Sequence, residues 1–187
     1  MKLFQILSTA ALSLLMLNAT AQDAPKGYSN GSITLADNST LTGYVKDNIN
    51  KEAAVNFYIN GKTTTYAGTQ LNGATTANGT FICIHGDFFK VISNGNLSFL
   101  QKSSDASSVP STNGTDVQFN NGTEGNPGDY FVYNSKTNEL MLVSKKTLNN
   151  VVATSFGGYA PAVEKAKAAQ ANIVALKDAV EIYNSRL

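Results

Sequence analysis

Val55-Asn56-Phe57-Tyr58-Ile59-Asn60-Gly61-Lys62-Thr63-Thr64-Thr65-Tyr66 decides the fold class. Two runs rich in β-branched and aromatic residues, which suit a pleated half-buried surface, flank an Asn-Gly pair. Both members of that pair tolerate the positive φ of a tight hairpin turn. The stretch reads as a β-hairpin. A second follows at Phe88-Phe89-Lys90-Val91-Ile92, which leads through Ser93 to Asn94-Gly95 and returns as Asn96-Leu97-Ser98-Phe99-Leu100. Residues 32–35 and 40–45 pair across Asp37-Asn38-Ser39, and residues 130–133 and 139–143 pair across a longer polar connection. With residues 80–84, this gives about nine strands spaced as in antiparallel all-β domains. The expected fold is mainly β (α+β), an antiparallel β-barrel or sandwich over about residues 30–143, followed by C-terminal helices.

Composition agrees. Asn, Thr, Ser and Gly supply 70 of the 187 residues, whereas Asp, Glu, Lys and Arg supply only 14%. Asn-Gly recurs at 30–31, 60–61, 72–73, 78–79, 94–95, 113–114 and 121–122, each a turn signal. Residues 102–127 interrupt the strand rhythm with Ser pairs, two Asn-Gly pairs and two prolines, and read as a surface excursion with one short edge strand near 115–119.

The chain changes character after Val143. A short helix is expected over about 146–156, stopped by Gly157-Gly158. Beyond Pro161, Ala162, Ala166, Ala169, Ile173, Leu176, Val180 and Tyr183 recur at intervals of four and three, the pattern of one apolar helix face over about 161–184. Packing of that stripe on the β domain is favoured over a coiled-coil seam, because its first three positions are alanine. A monomer is expected.

Residues 1–21 read as a secretory signal: Lys2 precedes an apolar run from Leu3 to Leu17, and Ala19-Thr20-Ala21 offers the small residues of a cleavage site. The run is shorter than the roughly 20 residues a membrane-spanning helix needs, so no transmembrane span is expected after cleavage. Residues 22–144 then form the β domain and 145–187 the helical segment packed on it. Losing Lys2 takes the 14 basic residues to 13, which balance the 13 acidic ones. Arg186 is the chain's one arginine. Neutral charge without clustered Lys or Arg argues against nucleic acid as a partner. Cys83 is alone, so no intrachain disulfide is possible and stability must come from a packed core.

Cys83-Ile84-His85-Gly86-Asp87 gathers the only Cys and the only His. On an extended strand, residues two apart share a face, so Cys83, His85 and Asp87 are the candidate metal ligands or thiol machinery. No further Cys or His exists to complete a zinc set, and the structural reading of these residues is favoured. Glu124, Asn126 and Asp129 offer oxygen ligands for calcium in a turn-rich loop, without EF-hand spacing. Asp87, Glu124 and Asp129 are also the acids a glycosidase pair would draw on. No motif of a known catalytic class is present, so no catalytic residue and no cofactor is expected. Tyr44, Tyr58, Tyr66, Tyr130 and Tyr133 lie in strands, where a sugar-binding face is the alternative to ordinary sheet packing.

Three stretches together resemble an uncharacterised family of secreted proteins from Bacteroidota: residues 31–45, residues 86–92, and Tyr130 through Lys145-Lys146 into the terminal helix. The resemblance implies export and a β domain with a helical tail, and carries no catalytic residue. It leaves function open. Export, neutral charge and the lack of a complete catalytic set lead to the expectation of a periplasmic or secreted, non-enzymatic protein with a structural or binding role in the cell envelope and an envelope component or glycan as partner. The alternative is a hydrolase acting on envelope glycans or peptides.

Overall fold

A computed structural model describes residues 24–108, 110–113, 116–119 and 122–186. The secretory signal expected over residues 1–21 lies outside them. Ten antiparallel strands form one sheet, and helices follow it: β1 (Ser29–Leu35), β2 (Thr40–Asn48), β3 (Ala54–Ile59), β4 (Lys62–Ala67), β5 (Leu71–Thr76), β6 (Gly79–Ile84), β7 (Asp87–Ser93), β8 (Leu97–Lys102), β11 (Tyr130–Asn134) and β12 (Glu139–Val143). A separate ribbon, β9 (Pro110–Asn113) with β10 (Asp116–Phe119), lies within the expected excursion. The helices are α1 (Ile49–Glu52), α2 (Leu148–Phe156), α3 (Ala160–Ala166) and α4 (Leu176–Asn184).

Strand order across the sheet is β12-β11-β8-β7-β6-β5-β1-β2-β3-β4, and its two ends, β12 and β4, are not paired with one another. The hairpin that opened the sequence reading is β3–β4, with Asn60 at φ 50° and Gly61 at φ 79° between the paired residues Ile59 and Lys62. One connection departs from the meander. After β4 the chain passes through a 3-10 turn at Gly68–Gln70 and enters β5, which pairs with β1 on the far side of β2 and β3. This crossing curls the first seven strands around a core of Ile33, Val45, Val55, Phe57, Leu71, Ala74, Phe81 and Phe88. Gly68 passes so close to the Gly86 carbonyl that a Cβ there would collide with it.

β5 is the strand that the sequence reading did not assign. Its sequence, Leu-Asn-Gly-Ala-Thr-Thr, has a glycine at the centre, and Asn72-Gly73 read as a turn. Gly73 instead lies opposite Thr34 on one side and Ile82 on the other. A Cβ at Gly73 would press on the Phe81 carbonyl oxygen, so the small residue permits the strand to fit between its neighbours.

The second core lies under the helices. Leu97 and Phe99 of β8, Val132 of β11 and Val143 of β12 meet Leu148, Val151 and Phe156 of α2, Ala162 and Ala166 of α3, and Leu176, Ala179 and Val180 of α4. The stripe read from the sequence thus packs inward, but not as one helix. Asn172 is extended (φ −144°, ψ 109°) and its side chain accepts the Val174 N–H, ending one helical run and starting the next. Packing explains the break: α3 folds against α4 with only alanines at its buried positions, and Lys165 bridges to Asp178 across the pair at 3.0 Å. Among the described residues no helix is long and apolar enough to cross a membrane.

Candidate functional site

Between the two cores, on the same side of the sheet, the apolar surface is interrupted. Phe88 on β7 belongs to the first core and Ile92 packs on the second, but Lys90 between them does not join either. Strand register places Phe81 of β6 and Gln101 of β8 directly beside Lys90, giving a row of Phe81, Lys90 and Gln101. This row lies in a cleft of about 510 Å³. Its walls come from Asp47 near the end of β2, Asn50 of α1, Asn78 of the β5–β6 turn, Lys102 at the end of β8, and Ser103, Pro127 and Gly128 beyond it. The volume falls within the roughly 300–1,000 Å³ of small-molecule sites.

Hydrogen bonds fix the walls. Asp47 accepts the Ile49 N–H at 3.0 Å, the Thr76 hydroxyl at 3.2 Å and the Asn78 side-chain amide at 2.9 Å. Gln101 donates its amide to the Gly128 carbonyl at 3.2 Å. Asp47 is thus a positioning group that ties the turn to the strand end, and the carbonyl oxygens of Asn78 and Gln101 remain as acceptors. Lys90 enters none of the ion pairs formed among the described residues.

The wall that carries Pro127 and Gly128 rests on a buried charge pair. Asp87 and Lys102 are both fully buried, with Oδ2 and Nζ 3.0 Å apart. Lys102 donates to the carbonyls of Thr123 at 2.8 Å and Gly125 at 3.0 Å, with that of Glu124 at 3.4 Å. Asp87 accepts the Ala106 N–H at 2.6 Å, and both the N–H and hydroxyl of Thr123 at 2.7 Å. Backbone bonds continue outward from Lys102, whose carbonyl accepts the Gly128 N–H at 2.8 Å and whose N–H reaches Asp129 at 2.9 Å. Two buried charges thus pin the far end of the excursion to the sheet. Each is satisfied by several partners, the condition under which burying an ion pair is tolerated.

The candidate residues of the Cys83–Asp87 stretch do not converge. β6 ends at Ile84, and His85-Gly86 form a tight turn with φ 51° and 88°. Such a turn pairs Ile84 with Asp87 and Cys83 with Phe88, so Cys83 and Asp87 project from opposite faces of the sheet. Cys83 packs at the edge of the first core, and burial pushes its thiol up to about 12. His85 is exposed. Asp87 faces the lysine that sequence alone did not single out. The calcium candidates separate too: Asp129 accepts the Asn126 N–H at 2.8 Å, Glu124 is exposed, and the carbonyls of 123 and 125 turn towards Lys102. Among the described residues no group of three or more His, Cys, Asp and Glu side chains is placed to hold a metal.

The five tyrosines also divide. Tyr44 and Tyr58 meet on the outer side of the sheet at 6.3 Å between ring centres, joined by Tyr28 at 6.0 Å from Tyr58. Tyr66 packs on Phe57 in the first core, Tyr130 stacks on Phe99 in the second at 5.3 Å, and Tyr133 donates to Asn138. A single five-tyrosine face does not form. The cleft itself carried one sequence signal, the lysine in the middle of the otherwise apolar run Phe88-Phe89-Lys90-Val91-Ile92.

Comparison with protein-family models, with curated proteins and with solved structures returns no match.

Proposed function

We propose that this is an exported protein of the cell envelope, periplasmic or secreted, that binds an envelope component in the cleft rather than turning it over. The supporting observation is the chemistry of the cleft: amide, hydroxyl and ammonium groups around one carboxylate, Asp47, which three donors already occupy. Glycoside hydrolysis ordinarily draws on two carboxyl groups flanking the bond. Of the sequence candidates for a second, Asp87 is committed to Lys102 and Asp129 accepts the Asn126 N–H. A neutral hydrogen-bonding cleft suits a hydroxyl-rich ligand such as a glycan. The test is a titration of the mature protein with soluble envelope glycan fragments, followed by calorimetry and by chromatography of the fragments. Saturable binding that Asn78→Ala weakens, with fragments recovered intact, is the expected result. Cleavage of the fragments would replace this reading with the hydrolase, and absence of binding to every fragment would end it. Export is checked separately by the mass of the protein recovered from its native cell, which should begin at Gln22.

A further inference from the structure

We propose that the cleft selects an acidic oligosaccharide, with the ammonium of Lys90 reading a sugar carboxylate. The inference rests on the glycan-binding reading above and adds to it the charge of the ligand and the residue that recognises it.

The argument is one of donors and acceptors. Asn78 and Gln101 each spend one of their two amide N–H groups on a fixed partner, Asp47 and Gly128, which orients the side chain and leaves its carbonyl oxygen to accept from a ligand. Such acceptors call for ligand hydroxyls as donors. Lys90 offers three N–H donors and no acceptor, and it requires a negative or strongly accepting group. It is half-buried, held in register between Phe81 and Gln101, and its aliphatic stem lies against Gly79, where any side chain would press on it. The other lysine that lines the cleft, Lys102, is one position on from Gln101, so its side chain leaves the opposite face of the sheet, where its ammonium is bound to Asp87. The ligand must therefore combine several hydroxyl donors with one anionic acceptor. A carboxylate, with a single negative charge, matches one ammonium. A phosphate dianion does not, because Asp47 lines the same cleft with its own negative charge. Sugars bearing carboxylates meet both requirements, and the cleft volume of about 510 Å³ admits a short oligosaccharide.

The experiment is calorimetric titration of the mature protein with galacturonate, glucuronate and mannuronate oligosaccharides and with their methyl esters, which keep the hydroxyls and lose the charge. Lys90→Met and Lys90→Arg are titrated alongside, with thermal melts confirming that both variants are folded. The expected result is that at least one acid binds about 10- to 100-fold more tightly than its ester, the range of one charge-assisted hydrogen bond. Lys90→Met should erase that difference and Lys90→Arg should retain most of it. Esters and acids binding alike, with Lys90→Met unchanged, would overturn the inference while leaving glycan binding intact. Inorganic phosphate displacing the acid at comparable concentration would also overturn it, because the site would then read charge without hydroxyls. If neither acids nor esters bind, and neutral envelope glycans fail as well, both readings fall together.

Discussion

Lys102 Nζ lies 3.0 Å from Asp87 Oδ2, with both side chains fully excluded from water. The pair stands on adjacent strands at one end of β7 and β8, where it replaces an apolar contact with a charged clasp on residues 106 and 123–125. Removing one member strands the other. Lys102→Met and Asp87→Leu, made singly, should each cost about 3–5 kcal/mol, the usual penalty for an uncompensated buried charge. The double variant should cost clearly less than the sum of the two. Urea denaturation of the four proteins measures this directly. Additive losses would show that the charges act independently.

Loosening that clasp should reach the cleft. Gly128 and Asp129 are hydrogen-bonded to the backbone of Lys102, and Gly128 holds Gln101. Asp87→Leu/Lys102→Met should therefore weaken glycan binding in the cleft even where the protein remains folded. Binding equal to that of the parent would mean the loop holds its position without the ion pair.

Cys83 gives a pH-dependent prediction. Its thiol is pushed up to about 12 by burial, from an ordinary value of 9.0. The folded protein therefore holds the proton more tightly than the unfolded chain. This contribution to stability is fully present below about pH 9 and is lost as pH rises towards 12. Alkylation by iodoacetamide near pH 8.5 should be slow for the native protein and fast in denaturant, because the thiolate is the reactive species. Equal rates would place the thiol in solvent.

Much of the fold was legible because hairpins announce themselves locally. Asn60-Gly61 between two strand-like runs needed no tertiary information, and it forms the turn its residues favour. Other Asn-Gly pairs misled for a physical reason: glycine serves positive φ and close approach equally well, and sequence does not distinguish them. Gly31 and Gly73 lie inside β1 and β5, where neighbouring backbone leaves no room for a Cβ. The site was less legible. Asp87 was visible as an acid near Cys83 and His85, but a two-residue turn reverses which side chains share a face. Its true partner, Lys102, is 15 residues away on the next strand, and only strand register brings them together. The continuous stripe from Ala162 to Tyr183 predicted the buried face correctly, with Ala162, Ala166, Ala169, Leu176 and Val180 all buried. It did not predict the break, because Asn172 ends a helix through a cap that periodicity ignores.

Leu176 tests whether that stripe is part of the core. It is fully buried at the start of α4 and belongs to the core shared with β8, β11 and β12. Leu176→Ala should cost roughly 2–5 kcal/mol. The thermal midpoint should then fall by at least about 4 °C, by the same amount at low and high protein concentration. A loss that shrinks with concentration would reveal association through this face, and an unmoved midpoint would place the helix outside the core.

Asn184 and Gly95 give the last prediction. The Asn184 side chain accepts the Leu97 N–H at 3.1 Å and donates to the Leu97 carbonyl at 2.8 Å, completing the edge of the β7–β8 connection from the end of α4. Gly95 lies beneath it, and a Cβ at Gly95 would collide with the Asn184 amide. Its φ is not in the left-handed region, so this glycine is required by the helix above it rather than by the turn it sits in. Asn184→Ala should cost about 1–3 kcal/mol, as two backbone groups of a buried residue lose their partner. Gly95→Ala should be destabilising in the parent and much less so in Asn184→Ala, where the obstructing amide is gone. The two losses should therefore be less than additive, with a coupling of about 0.5–3 kcal/mol in a double-mutant cycle. Hydrogen exchange gives a second readout: α4 amides should lose protection in either single variant before the β-sheet does. Strict additivity, or loss of protection in the β1–β5 strands first, would show that Asn184 does not anchor the helix to the sheet.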